Sequence, residues 1–455
     1  MQTFFVQTFG CQMNYSDSER MEYYLQALGY DKAKDFDSAD LLILNTCSIK
    51  QKAEDKALGL MKKISRIKKE NPNFIVVIAG CMVRLSSSRY SEKRDRLLTR
   101  VPEIDIALRT EELSKLGEII REVNPEAKIQ EIEEESFEDY FKISATYSST
   151  QTSAQAFLPI SNGCDKFCTY CIVPYSRGRE KSRKIEDVFE EAVALTEKGV
   201  IEITLIGQTV NSYGLSQYDK DKKTFIEIRE EPFVHLLKKL DTLYSKGLRR
   251  VRFTSPHPKD MSDQLIDAMG DLQTQMPFLH LPVQSGDDET LKRMNRTYTV
   301  DRYREIVKKL REKVPDISIT TDIIVGFCDE TKKEYKNTYK FFKEMDFEHG
   351  YISRYSDRKG TTANRFMKDN IEQEVKRKRW EKLNELLKKQ SKKVLKKFLG
   401  KTVKVLVETQ EEKLCTGRCE HYKSVQLESD QNLVGQIVPV VITDSRQWTL
   451  FGELA

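Results

Sequence analysis

No apolar run in this 455-residue chain reaches the roughly 20 residues that a bilayer-spanning helix needs. The mean hydropathy is −0.57, so a membrane protein is not expected. The opening residues, Met1-Gln2-Thr3-Phe4-Phe5-Val6, lack a basic n-region and an Arg-rich amphipathic presequence. These absences point to a cytoplasmic protein. Nine cysteines in that setting argue for metal or redox chemistry more than for disulfides. The net charge of +5 is modest but unevenly placed. Residues 129–139 are acidic, and Lys376 to Lys404 is densely basic. Within it Lys388, Lys389, Lys392, Lys393, Lys396 and Lys397 recur in pairs that face one side of a helix. Such runs usually form a solvated face; the alternative is a surface that tracks phosphates.

What is present is a tight cysteine triplet. Cys164, Cys168 and Cys171 form C-x3-C-x2-C within Ser161-Asn162-Gly163-Cys164-Asp165-Lys166-Phe167-Cys168-Thr169-Tyr170-Cys171. Three thiolates at this spacing suit a four-iron cluster. One iron then lacks a protein ligand and stays open to a bound molecule. A structural zinc site wants a fourth Cys or His nearby, and none follows before His235. A disulfide would leave one cysteine over. A dithiol oxidoreductase would use Cys168 and Cys171 but would give Cys164 no purpose.

Residues 1–125 alternate strand and helix patterns, as an open parallel α/β sheet does. Strands are expected at Phe4–Thr8, Leu41–Asn45, Phe74–Ala79 and Ile104–Leu108, and helices at Asp17–Leu28, Lys50–Ile67 and Ser91–Thr99. A second cysteine set emerges from this reading. Cys11, Cys47 and Cys81 each follow a strand, 36 and 34 residues apart. The C-terminal ends of parallel strands meet at one edge, where binding crevices form. Three cysteines there would converge as a second three-ligand site. Gly10 and Gly80 precede two of them and would permit close backbone approach.

Residues 126–149 are expected to be a linker. Residues 150–390 carry six βα units, a partial (β/α)6 barrel with chemistry at the strands' C-terminal ends. Its strands are expected at Phe157–Ile160, Ile201–Ile206, Arg250–Phe253, Phe278–Leu281, Ile317–Ile324 and Gly350–Arg354. The triplet lies just after the first of them. Residues 394–455 end in short alternating strands, a small OB-like β-barrel of the kind that binds nucleic acid. Cys415 and Cys419 read as ordinary loop cysteines.

The triplet with Tyr170 before its last cysteine resembles the radical S-adenosylmethionine superfamily. The whole chain resembles one branch of it, the methylthiotransferases. The resemblance rests on Phe9-Gly10-Cys11-Gln12-Met13-Asn14, Leu44-Asn45-Thr46-Cys47, Ala79-Gly80-Cys81-Met82 and Pro174-Tyr175-Ser176-Arg177-Gly178. It continues through Gly207-Gln208-Thr209-Val210-Asn211-Ser212-Tyr213-Gly214, Ser255-Pro256-His257-Pro258, His280-Leu281-Pro282-Val283-Gln284-Ser285-Gly286 and Thr321-Asp322-Ile323-Ile324-Val325-Gly326-Phe327. Gly-Cys-Gln-Met-Asn and the Gly207–Gly214 stretch are similar to the MiaB type, which acts on tRNA. The departures are Cys328-Asp329, where the family usually has Pro-Gly, and Asp357 and Lys359, where it usually has Pro.

The resemblance implies two 4Fe-4S clusters and S-adenosylmethionine. Cys164, Cys168 and Cys171 would hold the cluster that generates a 5′-deoxyadenosyl radical, with Tyr170 along the bound adenine. Cys11, Cys47 and Cys81 would hold the auxiliary cluster, and the C-terminal barrel would be a TRAM domain. The reaction would place a methylthio group on C2 of N6-isopentenyladenosine at tRNA position 37. That C2–H bond offers little to acid–base catalysis. Gly207, Gln208, Ser255 and Gln284 are expected cofactor or substrate contacts; His257 and His280 are given no role. Implied partners are the tRNA anticodon stem-loop, a flavodoxin or ferredoxin as electron donor and an iron–sulfur carrier. No sequence feature suggests more than a monomer. Rival readings are the same chemistry on another target and a non-catalytic iron–sulfur protein that binds RNA.

Overall fold

The computed structural model describes residues 2–47, 51–83, 101–132, 140–147, 150, 152–225, 228–446 and 448–455. The expected helix Ser91–Thr99 falls outside them. The chain forms two compact units. The first is Met1–Ser149 with Asn162–Asp165 and Ile172–Glu180; the second is Thr150–Ser161, Lys166–Cys171 and Lys181–Ala455.

The first unit is built on a five-stranded parallel sheet. Its order across the sheet is Asp31–Lys32, Thr3–Phe9, Leu41–Thr46, Ile75–Gly80 and Ile106–Leu108. Leu41–Thr46 and Ile75–Gly80 are buried throughout, which is why they read as unbroken apolar runs. The two-residue edge strand is too short to leave such a signal. The first helix spans Gln12–Ala27 and starts five residues before the expected one. Its first turns carry Asn14, Asp17 and Ser18, polar residues that weaken an apolar stripe. The expected helix Lys50–Ile67 is two, Gln51–Gly59 and Met61–Glu70. In the stretch expected to be a linker, Tyr140 and Ile143 belong to the core formed with Phe4, Met21, Leu41 and Val77, and Ile129 and Ile132 pack on it.

The second unit contains six barrel strands in sequential order as two three-stranded parallel sheets. One joins Gln155–Pro159, Glu202–Ile206 and Arg250–Phe253; the other joins Phe278–His280, Ser318–Val325 and His349–Arg354. Helices Ile185–Glu197, Pro232–Asp241, Asp263–Asp271, Val300–Lys313 and Lys332–Met345 lie between strands in the chain. This is the partial barrel that the sequence predicts.

Helix Gln373–Leu395 then leads to a closed five-stranded barrel. One of its strands is Leu414–Cys419. It corrects the reading of Cys415 and Cys419, which lie in this strand, fully buried in the barrel core with Val405, Val425 and Leu450. The lysines 388, 389, 392, 393, 396 and 397 are all exposed, while Leu383, Leu387, Val394 and Leu395 are buried. Lys376 and Arg379, at the start of the basic run, are not solvated. Lys376 pairs with Asp369 at 2.6 Å, and Arg379 with Glu330 at 2.5 Å.

The small barrel is fixed to the larger one by a buried charge network. Glu202 accepts from Arg250 at 3.4 Å and Arg252 at 3.1 Å. The same arginines donate onward to backbone carbonyls of the small barrel. Arg250 reaches Lys404 at 2.6 Å and Arg418 at 3.1 Å; Arg252 reaches Cys419 at 3.2 Å and Glu420 at 3.3 Å. Tyr422 is flanked by the guanidinium groups of Arg252 and Arg418, 4.8 and 4.4 Å from its ring centre.

Candidate active site

Register explains how distant cysteines meet. Phe9 pairs with Thr46, and Thr46 with Gly80, so three strands end on one line. Cys47 and Cys81 come directly after their strand ends, and Cys11 one residue later, after Gly10. The Cys47 thiol lies within hydrogen-bonding reach of both Cys11 and Cys81. Gly80, at φ +84°, has no room for a Cβ, which would lie 2.4 Å from Asn45 Oδ1 and 2.5 Å from the Thr46 carbonyl. At Gly10 a Cβ would lie 2.2 Å from Asn14 Oδ1. The close approach predicted for both glycines is present.

Side chains beyond the cysteines shape this pocket. Asn14 Oδ1 accepts from the Cys11 backbone N–H at 3.2 Å and lies 3.3 Å from its Sγ. Arg177 donates from Nε to Cys81 Sγ at 3.3 Å. The hydrogen bond from Cys47 pulls the Cys11 and Cys81 thiols below their ordinary range, burial opposes it, and the Arg177 charge assists. Hydrogen bonding to both neighbours, with burial, holds the proton on Cys47. Three thiols on one sheet edge beside a guanidinium, Cys47 and Cys81 buried and Cys11 half-buried, fit a three-thiolate cluster site, where metal binding displaces the proton held on Cys47.

The C-x3-C-x2-C segment is anchored residue by residue. In the first unit the Cys164 N–H donates to the Gly178 carbonyl at 3.1 Å. Gly163, at φ +85°, leaves no space for a Cβ, which would lie 2.2 Å from the Arg179 carbonyl. In the second unit the Cys171 N–H donates to the Cys168 carbonyl at 2.9 Å, and the Thr169 N–H to that of Met294 at 3.1 Å. Asn295 Nδ2 donates to the carbonyls of Lys166 and Phe167. Arg296 Nη1 lies 3.6 Å from Cys168 Sγ, and its Nη2 donates to the Pro282 carbonyl at 2.6 Å. Tyr170 packs edge-on to Phe327, ring centres 6.4 Å apart, and burial raises its hydroxyl pKa well above the usual value.

The other expected contacts fare differently. Gly207 is buried at the end of Glu202–Ile206, where a Cβ would lie 2.6 Å from Ser161 Oγ. Gln208 beside it is half-buried. Ser255 and Gln284 both adopt left-handed backbone, φ +56° and +70°, a conformation costly for non-glycine residues that clusters at functional sites. Ser255 is exposed; Gln284 is buried and bridges to Ile323. His257 is buried, and burial, with Arg296, Lys166 and Lys259, depresses its pKa strongly, so it is neutral.

Sequence reasoning did not single out Asn14, Asn45, Asp17, Arg177 or Arg296. Asn14, Asn45 and Arg177 stand inside family motifs, which was the available signal; Asp17 and Arg296 carried none. The Gly207–Gly214 stretch also holds scaffold. Asn211 exchanges two hydrogen bonds with the His257 backbone, at 2.7 and 3.0 Å, and the Tyr213 hydroxyl donates to the Arg183 carbonyl. The departures are accommodated locally. Asp329 has φ +60°, which Asp tolerates better than most residues, and hydrogen-bonds Asn370. Asp357 accepts from Asn364 Nδ2 at 2.6 Å. Cys328 is a core residue packed with Phe327 and Tyr355.

A C-x3-C-x2-C triplet in a chain that also forms a partial parallel barrel defines a radical S-adenosylmethionine enzyme, a class that uses a 4Fe-4S cluster and S-adenosylmethionine. Comparison with known families agrees. Residues 158–342 match the Radical SAM superfamily, residues 3–106 the uncharacterized protein family UPF0004, and residues 396–455 the TRAM domain. The chain is 40% identical over 457 residues to the tRNA-2-methylthio-N(6)-dimethylallyladenosine synthase of Protochlamydia amoebophila (strain UWE25), covering all of this chain and 96% of that one. It is 39% identical to the enzyme of that name from Thermoanaerobacter sp. (strain X514), over 99% of this chain and 92% of the relative. With that from Bacillus subtilis (strain 168) it shares 37%, over 99% and 85%. The chain belongs to the MiaB-type radical S-adenosylmethionine methylthiotransferase family. Among solved structures, the radical S-adenosylmethionine methyltransferase TsrM from Kitasatospora setae shares the fold, with TM-score 0.55 and 12% identity over 78% of this chain and 73% of that one.

Proposed function

We propose that this protein methylthiolates C2 of N6-isopentenyladenosine at position 37 of tRNA. The observation that carries the reading is the convergence of Cys11, Cys47 and Cys81 on one sheet edge, in a chain that also has the C-x3-C-x2-C triplet. Substrate identity rests on the full-length relatives. Cys164, Cys168 and Cys171 would hold one cluster, and Cys11, Cys47 and Cys81 a second. When bound, the clusters and S-adenosylmethionine supply the radical, the sulfur and the methyl group that the reaction needs.

The chain's own residues orient and enclose. Asn14 and Asn45 set the loops that carry the auxiliary cysteines. The Asn295 contacts hold the triplet loop. Tyr170, half-buried and backed by the buried Phe327 ring, would offer the adenine a surface, and Gln208, Ser255 and Gln284 offer polar groups at strand ends. The exposed lysines of 388–397 and the C-terminal barrel would bind the RNA backbone. With a tRNA substrate the reaction would run in the cytoplasm.

The test is anaerobic reconstitution with iron and sulfide, then incubation with dithionite, S-adenosylmethionine and tRNA bearing isopentenyladenosine. Mass spectrometry of the nucleosides should show a methylthio group on that adenosine. 5′-Deoxyadenosine with unmodified tRNA would redirect the chemistry to another target. Two clusters with neither product would make the protein a non-catalytic RNA binder.

A further inference from the structure

Arg177 is almost wholly buried in the first unit, 4% exposed. Each of its three nitrogens has a different partner. Nε donates to Cys81 Sγ at 3.3 Å, Nη1 to Asn162 Oδ1 at 3.1 Å and Nη2 to Asp17 Oδ2 at 2.5 Å. Asp17 is itself fully buried, and its other oxygen accepts from the Tyr140 hydroxyl at 2.6 Å. A buried guanidinium needs a counter-ion, and Asp17 supplies one. If that were its only task, the side chain would not need to face a sulfur. The Arg177–Asp17 pair is instead a fixed dipole with its positive end on Cys81. Hydrogen bonds and charge near cluster sulfurs are levers on reduction potential.

We propose that Arg177 is a positioning residue for the auxiliary cluster: its Nε–H bond to Cys81, braced by Asp17 and Asn162, orients that ligand and raises the cluster's reduction potential. The inference rests on the reading of Cys11, Cys47 and Cys81 as cluster ligands. It gives the arginine of the Pro-Tyr-Ser-Arg-Gly motif a role of its own, through a side chain placed on a cysteine sulfur. The sign follows from charge. A reduced cluster carries one more negative charge, which a cation at hydrogen-bond distance stabilises.

The experiment uses the full-length chain with Cys164, Cys168 and Cys171 all changed to Ala, so that one cluster remains. Its potential is read by titration monitored by electron paramagnetic resonance, in that parent and with Arg177→Gln, Arg177→Lys or Asp17→Asn added. The expected order is a lower potential for R177Q, a smaller decrease for R177K and an increase for D17N. Opposite signs for R177Q and D17N separate an electrostatic role from general loosening, which would move both alike. Equal potentials in the parent and R177Q, each with four irons bound, would overturn the proposal. If R177Q retains fewer irons, thermal unfolding of the iron-free chains decides. Unchanged unfolding supports a role at the cluster, whereas destabilisation equal to that of D17N makes Arg177 a structural ion-pair partner and overturns it. A parent that binds no cluster at all would refute the ligand assignment itself, a result distinct from either.

Discussion

Asn14 Nδ2 donates to Asn45 Oδ1 at 3.1 Å, joining the helix that begins at Gln12 to the strand that ends at Thr46. Asn45 Nδ2 returns bonds to the Asn14 carbonyl at 2.7 Å and to Ser18 Oγ at 2.9 Å. Both side chains are fully buried. The pair fixes the loops of Cys11 and Cys47 and leaves space at Gly80 for nothing larger than hydrogen. Gly80→Ala should therefore destabilise the protein by about 2 kcal/mol or more, from left-handed strain and overpacking together. Thermal unfolding of the iron-free chain checks this.

The two cysteine sets should fail differently. Cys164→Ala should abolish both 5′-deoxyadenosine formation and methylthiolation. Cys11→Ala should abolish methylthiolation while 5′-deoxyadenosine still forms. Product analysis of each variant measures the split. Methylthiolated tRNA from either would show the ligand assignment to be wrong.

Glu202→Ala should be among the most damaging substitutions outside the cysteine sites. It would leave Arg250 and Arg252 buried without their carboxylate, at a cost of about 3–5 kcal/mol. Because both arginines bond the small barrel's carbonyls, that barrel should also become more open to limited proteolysis. The same network makes truncation at residue 398 an unclean probe of RNA binding, since it would expose these arginines.

His421 gives the small barrel an acid-sensitive point. Burial, then the Lys423 charge, depresses its pKa to about 4; its buried Nδ1 has no partner among the described residues. In the unfolded chain it titrates near 6.5. The unfolded state therefore binds the proton first, and stability present above pH 6.5 is lost as pH falls towards 4. The loss is on the order of 1–3 kcal/mol. His421→Phe, packing on Phe398 as the histidine does, should flatten the difference between melting temperatures at pH 7 and pH 4.5.

Changing Lys388, Lys389, Lys392, Lys396 and Lys397 together to Gln should weaken tRNA binding. The slope of log affinity against log salt should become shallower, by about 0.7–0.9 for each phosphate no longer neutralised. Filter binding across salt concentrations tests this. An unchanged slope would return those lysines to the role of a solvated helix face.

The sheet class, the six barrel strands to within two residues at each end, and both cysteine sets could be read from the residues alone. They were legible because buried parallel strands leave unbroken apolar runs and because cysteines at such spacings or strand ends stand out in a chain with only nine of them. The set Cys11, Cys47 and Cys81 required one step of topology, that parallel strands end on a common edge. The remainder came from the folded chain. Only the register of Phe9, Thr46 and Gly80 brings three thiols into contact. Only folding sets Arg177 against Cys81, 96 residues away in sequence, and Arg296 against Cys168. The burial of Lys376 and Arg379 within a basic run, and of Tyr140 within an expected linker, likewise needed the fold. A side chain's burial and partners depend on residues far away in the chain, and local pattern carries no record of them.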